Sequence, residues 1–468
     1  MSKSLFDSDI AAVNLGLQAF GDAVTKQGRA CTKLAWKPPV DPELVPLLED
    51  PEINAKIDEA NRKVMDIFLS GESHWVGMKR AIDVVPGMKP NYIIHSGPPI
   101  TWEKMGSLQR IGSVGGALHD GLAKTEEEAL AKLESGEIEV QSAYDFDCIG
   151  AGAGIITASM IVNICEDVKT GKRGYCAPFE GRDGLSLWAL YNEKVEKNLQ
   201  VIENVFAPAV DSVLEKQGPI NVTSIIARAL QMNDEIHTRQ TAASLILISE
   251  LMPKLMASDL DRETLATCVN MLVASERWFH PLGMASAMSV LKSIQGIDHS
   301  TIVTMCCSNG VQNGVKFADT GDEWFLADAP HYYGQYFSSE WSDEDACLHM
   351  GDSTVCEVVG LGAFAAAAGP VVLRLRDGDY RAAINQTLEM KQISFGTNSN
   401  YPVPLLDYQG PPIGIDARKV LETGITPICH GGIISKYGGQ IGAGAGRFPI
   451  EPYLKMMRKF YKKHGYLK

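Results

Sequence analysis

Residues 231–241, QMNDEIHTRQT, concentrate hydrogen-bonding side chains between two apolar stretches with helical periodicity. An imidazole and a guanidinium this close together could bind an anion or a carbonyl oxygen. We predict His237 as an acid–base catalyst that Asp234 or Glu235 orients. Arg239 is predicted as its cationic neighbour. A helix cap followed by a surface ion pair is the alternative interpretation of this polar cluster.

The polar cluster comes directly before the apolar stretch AASLILISELMPKLM, so Asn233 or Asp234 is expected to cap a helix there. The first turn of a helix carries unpaired N–H groups, and these favour a bound anion. Asn233 is therefore predicted to belong to an anion site. In such a helix Glu235 and Arg239 would lie four residues apart and could pair.

A second anion site is predicted near the C-terminus. His430 ends a predicted strand, residues 431–446 contain seven glycines, and Arg447 follows them. A loop without side chains exposes consecutive N–H groups, which form an anion-binding concavity. We therefore predict that Gly442, Gly444, Arg447 and His430 bind an anion. A flexible linker is the alternative, and no GK[ST] motif follows, so the loop is not a P-loop.

Two further motifs are ambiguous between structure and binding. Asn309 and Asn313 each precede a glycine, which is first a turn signal, but their amides could also hold a carbamoyl or carboxylate group. Gly150, Gly152 and Gly154 form a segment whose backbone can pass close to a ligand or to another part of the chain.

Metal and cofactor sites are only weakly indicated. Asp145 and Asp147 would share one face of a strand and could hold Mg²⁺, or they could cap the strand end. Gly360 and Gly362 after CEVV imitate a dinucleotide-binding motif, but Gly369 would stop the following helix early. We therefore predict a short helix of small residues packed against a sheet. His280, which precedes a proline, is interpreted as a packing histidine.

Composition excludes some classes of function. A formal charge of −14 argues against nucleic acid or an anionic membrane surface as the main partner. No apolar run is long enough for a membrane-spanning helix, and the N-terminal residues lack the apolar region of a signal peptide. Ten cysteines without a CxxC pair indicate reduced thiols, so a cytoplasmic location is expected.

Alternating helical and strand patterns predict an α/β (mixed α+β) fold. A helix is expected over residues 8–28, followed by a strand at ACTKLAW. The predicted domains are a small Rossmann-like α/β unit (1–101), an α/β domain (102–218), a helical subdomain with the polar cluster (219–292), and a C-terminal α/β domain with the glycine-rich loop (293–468).

Several blocks resemble one family in the same order over nearly the whole chain. They are GPPITWEKM, GAGAGIITASM, MNDEIHTRQTAASLIL, SNGVQNGVKF, MGDSTVCEVVGLGAFAAAAGP, and GIDARKVLETGI with GGQIGAGAGR. The family is the YlbE type, long described as a domain of unknown function and understood as a subunit family of oxamate carbamoyltransferase. The resemblance implies an oligomeric complex with an FdrA-type, acyl-CoA-synthetase-like partner. It also implies phosphorolysis of a carbamoyl compound to carbamoyl phosphate in allantoin catabolism.

The resemblance extends the set of site residues. The family's Gly-Asp-Ser element falls on Gly351, Asp352 and Ser353, so the last two are implied in substrate binding. Two departures matter. Residues 144–148 read YDFDC where relatives carry a histidine-rich run, and Asn233 stands where glycine is expected. The first departure leaves a different chemistry or carbamoyl donor open.

The resulting hypothesis is a carbamoyltransferase subunit that binds phosphate and a small carbamoyl substrate. Phosphate needs cationic or N–H donors, the carbamoyl oxygen needs preorganised donors, and the leaving nitrogen needs a proton. His237 is the first choice for that proton. The alternatives are a non-catalytic scaffold for an FdrA-like partner and a nicotinamide-dependent dehydrogenase.

Overall fold

The computed structural model describes residues 11–15, 18–34, 40–181, 184–376 and 378–468. Helices and strands alternate through these residues, which confirms the predicted mixed α/β fold. The strands of the described residues form several small sheets rather than one large sheet.

The N-terminal half of the chain supplies the largest sheet and the helices on it. Its elements are β1 (Ala11–Leu15), α1 (Gln18–Lys26), β2 (Ala30–Leu34), α2 (Val45–Leu48), α3 (Pro51–Ser70), β3 (Ser73–Arg80), α4 (Ala81–Val84), β4 (Tyr92–His95), α5 (Ser107–His119), α6 (Glu126–Ser135), β5 (Glu139–Ser142), β6 (Cys148–Ile149), β7 (Ile155–Thr157), β8 (Ile161–Asp167), β9 (Arg173–Cys176), α7 (Leu185–Trp188), α8 (Glu193–Val201) and α9 (Ala207–Gln217). A π-helical turn, Ile202–Phe206, joins α8 to α9.

The C-terminal half begins with helices and returns to strands. Its elements are β10 (Ile220–Asn221), α10 (Val222–Leu230), α11 (Thr241–Met256), α12 (Arg262–Val273), α13 (Phe279–Leu291), β11 (Val303–Asn309), β12 (Gln312–Phe317), β13 (Phe325–Asp328), β14 (Tyr333–Tyr336), β15 (Met350–Gly351), α14 (Val355–Val358), α15 (Tyr380–Gln392), β16 (Ser394–Thr397), β17 (Pro412–Ile415), α16 (Ala417–Thr423), β18 (Ile428–Ile434), β19 (Gln440–Arg447) and α17 (Glu451–Lys463). Short 3₁₀ helices include Gly362–Ala368 and Pro370–Arg376.

The N-terminal prediction of one helix over residues 8–28 is wrong for the described part. Ala11–Leu15 forms β1, which pairs in parallel with β2, and the helix starts only at Gln18. Residues 8–10, 16 and 17 lie outside the described residues. The result is a parallel β–α–β unit whose two strands form a sheet of their own.

A five-stranded sheet in the order β10-β3-β8-β9-β6 packs against α13. β3 pairs antiparallel with β8 along its length, and α13 packs on β8 and β9. Gly174 on β9 allows this approach, because a Cβ there would meet the Ala285 carbonyl of α13. The sheet crosses the boundaries predicted at residues 101 and 218, so neither separates independent sheets. The domain division itself stays a prediction.

The polar cluster lies in an irregular loop, residues 231–240, between α10 and α11. α11 begins at Thr241, so the predicted helix cap at Asn233 or Asp234 is wrong. Asn233 is exposed with a φ of +66°, a left-handed conformation that Asn tolerates and glycine adopts readily. This explains why glycine is the expected residue at that position.

The glycine-rich segment after His430 is a strand pair rather than a loop. β19 pairs with β18 on one side and β14 on the other, so its backbone N–H groups are largely taken up by sheet hydrogen bonds. A Cβ at Gly442 or Gly444 would collide with the β14 backbone. The glycines allow close strand packing, and the predicted anion-binding concavity is absent from these described strands.

The segment that imitates a dinucleotide-binding motif is not a strand–turn–helix crossover. The preceding strand, β15, has two residues and pairs antiparallel with β11. The following helix is the short 3₁₀ segment Gly362–Ala368, which packs near β18. The prediction of a short small-residue helix is confirmed, and the dehydrogenase alternative loses its structural basis.

Among the described residues, no helix is long and apolar enough to cross a membrane.

Candidate functional site

A small cavity collects three histidines and one arginine from distant parts of the chain. We call it the histidine cavity, and its volume is about 40 Å³. Its lining residues are Gly152, Leu187, Trp188, His237, Thr238, Arg277, His280, His349, Met350, Ser353, Gly431, Gly432, Ile434 and Gln440. Three predicted site residues, His237, Ser353 and Gly152, are therefore brought together.

His237 is oriented by Glu357, a residue that sequence reasoning did not single out. Nδ1 of His237 lies 2.8 and 2.9 Å from the two carboxylate oxygens of Glu357, and both side chains are buried. Glu357 Oε1 also accepts the backbone N–H groups of Ala363 at 2.9 Å and His430 at 3.2 Å. The prediction that Asp234 or Glu235 orients the imidazole is therefore wrong.

The Glu357 carboxylate favours the charged form of the His237 imidazole. Burial by itself lowers the pKa of His237, but the carboxylate of Glu357 outweighs it, and the net pKa is raised above its usual value. Because Nδ1 is bound to Glu357, Nε2 is the nitrogen left for the cavity. No described residue hydrogen-bonds to Nε2. A protonated Nε2 facing a cavity can donate a proton to a leaving group.

Asp234 and Arg239 stabilise the loop instead of lining the cavity. Asp234 accepts the backbone N–H of Ala243 in α11 at 2.8 Å and lies 3.1 Å from Nε of Arg239. Burial raises the pKa of Asp234 to about 6. Both residues are absent from the cavity wall, so their predicted contact with substrate is not supported by this geometry.

The Glu235 carboxylate stabilises the loop through contacts with its backbone. Its carboxylate accepts the backbone N–H of Arg239 at 2.8 Å, and its other oxygen lies 3.7 Å from Nδ1 of His430. The predicted helical side-chain pair between Glu235 and Arg239 is wrong because this segment is not helical. Ile236 has a φ of +68°, which is strained for a β-branched residue. Strain of this kind next to His237 is typical of functional sites.

His280 and His349 complete the cavity, and sequence reasoning missed both. The His280 and His237 ring centroids lie 5.6 Å apart, and His349 stacks on Tyr332 at 4.3 Å. Burial lowers the pKa of His280 well below its usual value and that of His349 to about 3. The sequence interpreted His280 as a packing residue. His280 lies 43 positions after His237, and no local pattern in the sequence indicates that the two rings are neighbours.

Arg277 supplies the cationic group that the sequence assigned to Arg239 and Arg447. It lies just before α13, its Nη2 atom is 3.2 Å from Oε1 of Gln440, and its guanidinium lies over the Trp188 ring at 5.9 Å. The hydrogen bond to Gln440 and the Trp188 ring hold the guanidinium at the cavity wall. No Asp or Glu is among the described residues that line the cavity.

The residues of the Gly-Asp-Ser element have different roles, since Asp352 is structural and Ser353 lines the cavity. Asp352 accepts the backbone N–H groups of Gly97 at 2.7 Å and Gly150 at 2.9 Å, and its pKa is raised to about 7 by burial. Its oxygens are therefore used inside the protein, and substrate binding by Asp352 is not supported. Ser353 lines the cavity. Gly152 also lines the cavity, and its φ is +53°.

The remaining predicted glycines and amides serve chain packing. A Cβ at Gly150 would lie 2.9 Å from Ser96, and one at Gly154 would overlap the Ser186 carbonyl. The Asn309 amide donates to the Pro98 carbonyl and accepts from the turn that follows it. Asn313 donates to the Cys307 carbonyl at 2.9 Å. Asn309 is thus at the predicted turn, between β11 and β12, whereas the turn predicted at Asn313 is wrong because Asn313 and Gly314 lie within β12. Neither amide lines the cavity.

The C-terminal candidates also lie outside the cavity wall. Arg447 pairs with both carboxylate oxygens of Glu389 at 2.8 Å on the surface, so it is not available as the cradle for phosphate. Nε2 of His430 lies 2.8 Å from the Gln386 amide, behind the cavity. Gly431 and Gly432, the next residues of β18, do line it.

The predicted Mg²⁺ site is occupied by lysine side chains. Asp147 lies 2.6 Å from Nζ of Lys292, and Asp145 lies 3.7 Å from Nζ of the buried Lys316. The two aspartates thus have separate cationic partners, and Asp147 ends a 3₁₀ turn rather than sharing a strand face with Asp145. The structure does not support a shared metal here.

A different trio, His237, Glu357 and Cys429, places ligand atoms within 4.8 Å of one another. The His237–Glu357 hydrogen bond already uses the atoms that would bind an ion. Burial also raises the pKa of the Cys429 thiol well above its usual value, which keeps it protonated. The trio therefore fits an acid–base pair with a buried thiol better than a metal site.

Comparison with known proteins adds a family to this geometry. The family model described as oxamate carbamoyltransferase subunit AllG matches residues 138–353. The chain is 32% identical to the oxamate carbamoyltransferase subunit AllG of Escherichia coli K12 over 399 residues, covering 84% of this chain and 95% of that protein. It is 31% identical to E. coli YahG, an uncharacterized protein, over 472 residues, covering 99% of this chain and 100% of YahG.

The fold has a solved counterpart. A conserved protein of unknown function from Enterococcus faecalis V583 matches with a TM-score of 0.85 and 31% identity, covering 88% of this chain and 99% of that one. Identity and coverage of this extent mean that the chain belongs to the family of the oxamate carbamoyltransferase subunit AllG.

Proposed function

We propose that this chain is the carbamoyl-transferring subunit of an oxamate carbamoyltransferase-like enzyme, and that the histidine cavity is its active site. The observation that carries the proposal is the buried His237–Glu357 pair, which leaves Nε2 of His237 for a cavity lined also by Arg277. A buried histidine oriented by a carboxylate is the usual arrangement of a general acid or base.

Electrostatics favour an anionic substrate. Arg277 and His237 are the charged groups of the cavity wall, and no described lining residue is acidic. The cavity wall therefore offers cationic donors in a chain whose formal charge is −14. A volume of about 40 Å³ is far below that of a usual ligand pocket, so the cavity holds only the reacting groups of small substrates.

The chemistry follows from these positions. An oxygen of phosphate attacks the carbamoyl carbon of N-carbamoylated oxamate, and the bond from that carbon to the oxamate nitrogen breaks. His237 gives its Nε2 proton to the leaving nitrogen, which yields oxamate and carbamoyl phosphate. Arg277 stabilises the anionic groups throughout. In the opposite direction, His237 removes the proton from the oxamate nitrogen.

A second subunit is part of the proposal. The relative AllG is described as a subunit, and the sequence blocks imply an FdrA-like partner. In the complex this chain supplies His237 and Arg277. The complex is therefore the form to assay.

The test is a His237→Gln substitution in the purified complex. We expect kcat for phosphate release from carbamoyl phosphate plus oxamate to fall about 10²–10⁴-fold, because the general acid–base group is lost. His331→Gln, at an exposed histidine, is the matched control and should keep full activity. Complex formation and Tm should be unchanged in both. Unchanged turnover in His237→Gln would instead make this chain a non-catalytic scaffold.

A further inference from the structure

The histidine cavity contains more hydrogen-bonding capacity than the protein itself uses. Nδ1 and Nε2 of His280 are both buried without a hydrogen-bond partner among the described residues, and so is Nδ1 of His349. Both side chains are more than nine-tenths buried. Buried polar atoms in native proteins almost always have a partner, so atoms left open towards a cavity point to a ligand that supplies it.

The imidazoles of His280 and His349 differ from the charged groups of the cavity in their protonation and in their hydrogen-bonding capacity. Burial, together with the positive charge of His237, lowers the pKa of His280 and His349, so both rings are neutral. A neutral imidazole carries one N–H donor and one acceptor lone pair. Arg277 and protonated His237 offer only donors. The cavity therefore has a cationic side and an uncharged side that can both donate and accept.

We propose that His280 and His349 bind the uncharged amide of the substrate, whose nitrogen His237 faces, while Arg277 binds its anionic group. An amide has N–H donors and a carbonyl acceptor, which match the lone pair and the N–H of an imidazole. A second carboxylate has no donor, and a methyl group has neither donor nor acceptor. The proposal rests on the proposed function for the identity of the substrate and adds the residues that select it.

A metal ion is the competing explanation for unpartnered imidazoles. Ring centroids 5.6 Å apart would allow His237 and His280 to share one ion. However, no described lining residue offers a carboxylate to such an ion. Nor is a trio that includes His280 or His349 among the described groups whose ligand atoms converge. An amide satisfies the same nitrogens.

Three small ligands of similar shape test the proposal by calorimetry on the full-length protein in its complex. Oxamate carries an amide beside a carboxylate, pyruvate replaces the NH₂ group by a methyl, and oxalate replaces the amide by a second carboxylate. We expect wild-type protein to bind oxamate at least tenfold more tightly than either analogue. No binding of oxamate up to 10 mM, or equal affinity for all three ligands, would overturn the proposal.

Variants locate the selectivity. His280→Leu and His349→Leu should each reduce the oxamate preference over pyruvate to less than threefold, because Leu offers neither donor nor acceptor. His280→Gln keeps one donor and one acceptor and should retain part of it. His331→Gln is the surface control and should keep all of it. Folding is checked by Tm and circular dichroism, and an unchanged preference in both folded Leu variants would contradict the assignment.

Two further measurements separate the possible failures. Titration with Zn²⁺ alone should show no stoichiometric binding, and a site lost in both Leu variants would establish the metal explanation instead. Turnover with carbamoyl phosphate tests the proposed function separately. Selective oxamate binding without turnover would leave the amide site standing and remove the carbamoyl-transfer proposal. Turnover without selectivity would do the reverse.

Discussion

Single residues decide the charge of the cavity. The Glu357 carboxylate, 2.8 Å from Nδ1, raises the pKa of His237, whereas burial with no carboxylate partner among the described residues lowers the pKa of His280. Two imidazoles whose ring centroids lie 5.6 Å apart therefore have opposite pKa shifts. Environment, rather than residue type, assigns one to proton transfer and the other to hydrogen bonding.

Glu357→Gln tests the source of the His237 charge. The carboxylate raises the pKa of His237 and burial lowers it, so removing the carboxylate leaves the lowering effect alone. The protonated acid is then lost at lower pH, and the basic limb of the kcat/KM profile should move down by about one pH unit or more. Glu389→Gln, at the surface partner of Arg447, should leave the profile unchanged. An unmoved limb in Glu357→Gln would exclude this role.

Arg277→Ala and Arg447→Ala distinguish the two arginines. Arg277 lines the cavity, so its loss should raise KM for the anionic substrate at least tenfold, equivalent to about 1.4 kcal/mol. Arg447 pairs with Glu389 on the surface, and its loss should change KM less than twofold. Steady-state kinetics of the complex measure both. The opposite order would restore the C-terminal anion site that the sequence predicts.

At the scale of elements, the 3₁₀ helix Gly362–Ala368 holds the His237–Glu357 pair in place. The backbone N–H of Gly362 donates to the Glu235 carbonyl at 2.7 Å, and that of Ala363 donates to Glu357. A Cβ at Gly362 would collide with Glu357 and lie 3.0 Å from the Cβ of His237. The small residues that imitate a dinucleotide motif are thus required by close packing.

Gly362→Ala should therefore reduce both stability and activity. Its φ of +56° costs about 1 kcal/mol with any L side chain, and the clash adds to that cost. Gly121→Ala is the matched control, because Gly121 has a φ of +66° with nothing within 4 Å of a Cβ. Urea unfolding should show a loss in both variants, and only Gly362→Ala should lose turnover. Full activity in Gly362→Ala would contradict this packing role.

A second ion cluster joins α5 to the helical segment that follows α8. His119 lies 2.7 Å from Glu196 and 2.8 Å from Glu203, which is in the π-helical turn. Burial lowers the pKa of His119, but both carboxylates raise it more, to about 9. A raised pKa in the folded state means that the stabilisation is present below the unfolded value and is lost as pH rises through about 9.

His119→Gln tests this linkage. The variant should lose roughly 2–3 kcal/mol of stability at pH 6 and show a smaller decline than wild type between pH 6.5 and 9.5. Thermal unfolding across that pH range measures both effects. His74→Gln, at a histidine paired with exposed Glu72, is the control and should reproduce the wild-type slope. Equal slopes in wild type and His119→Gln would contradict the pKa direction.

At the scale of the whole molecule, the cavity depends on segments spread over nearly 300 residues. Gly152 precedes the central strands, His237 follows α10, His280 lies on α13, and Gly432 lies on β18. The family match at residues 138–353 includes the three histidines of the cavity but ends before Glu357. The C-terminal half is therefore needed to charge the imidazole that the matched segment supplies.

Local patterns in the sequence determined the mixed α/β fold, the turn after Asn309, the short helix after Gly360 and the family. Each depends on periodicity, on backbone preference or on a contiguous motif, which neighbouring residues carry by themselves.

Only the tertiary structure decided which side chains meet His237. Glu357, 120 residues away, replaced Asp234 as its partner, and Arg277 replaced Arg447 as the cation at the site. The glycines of β19 were required by strand packing and not by an anion. Long-range packing sets these contacts and the resulting pKa shifts, and no local spacing in the sequence encodes them.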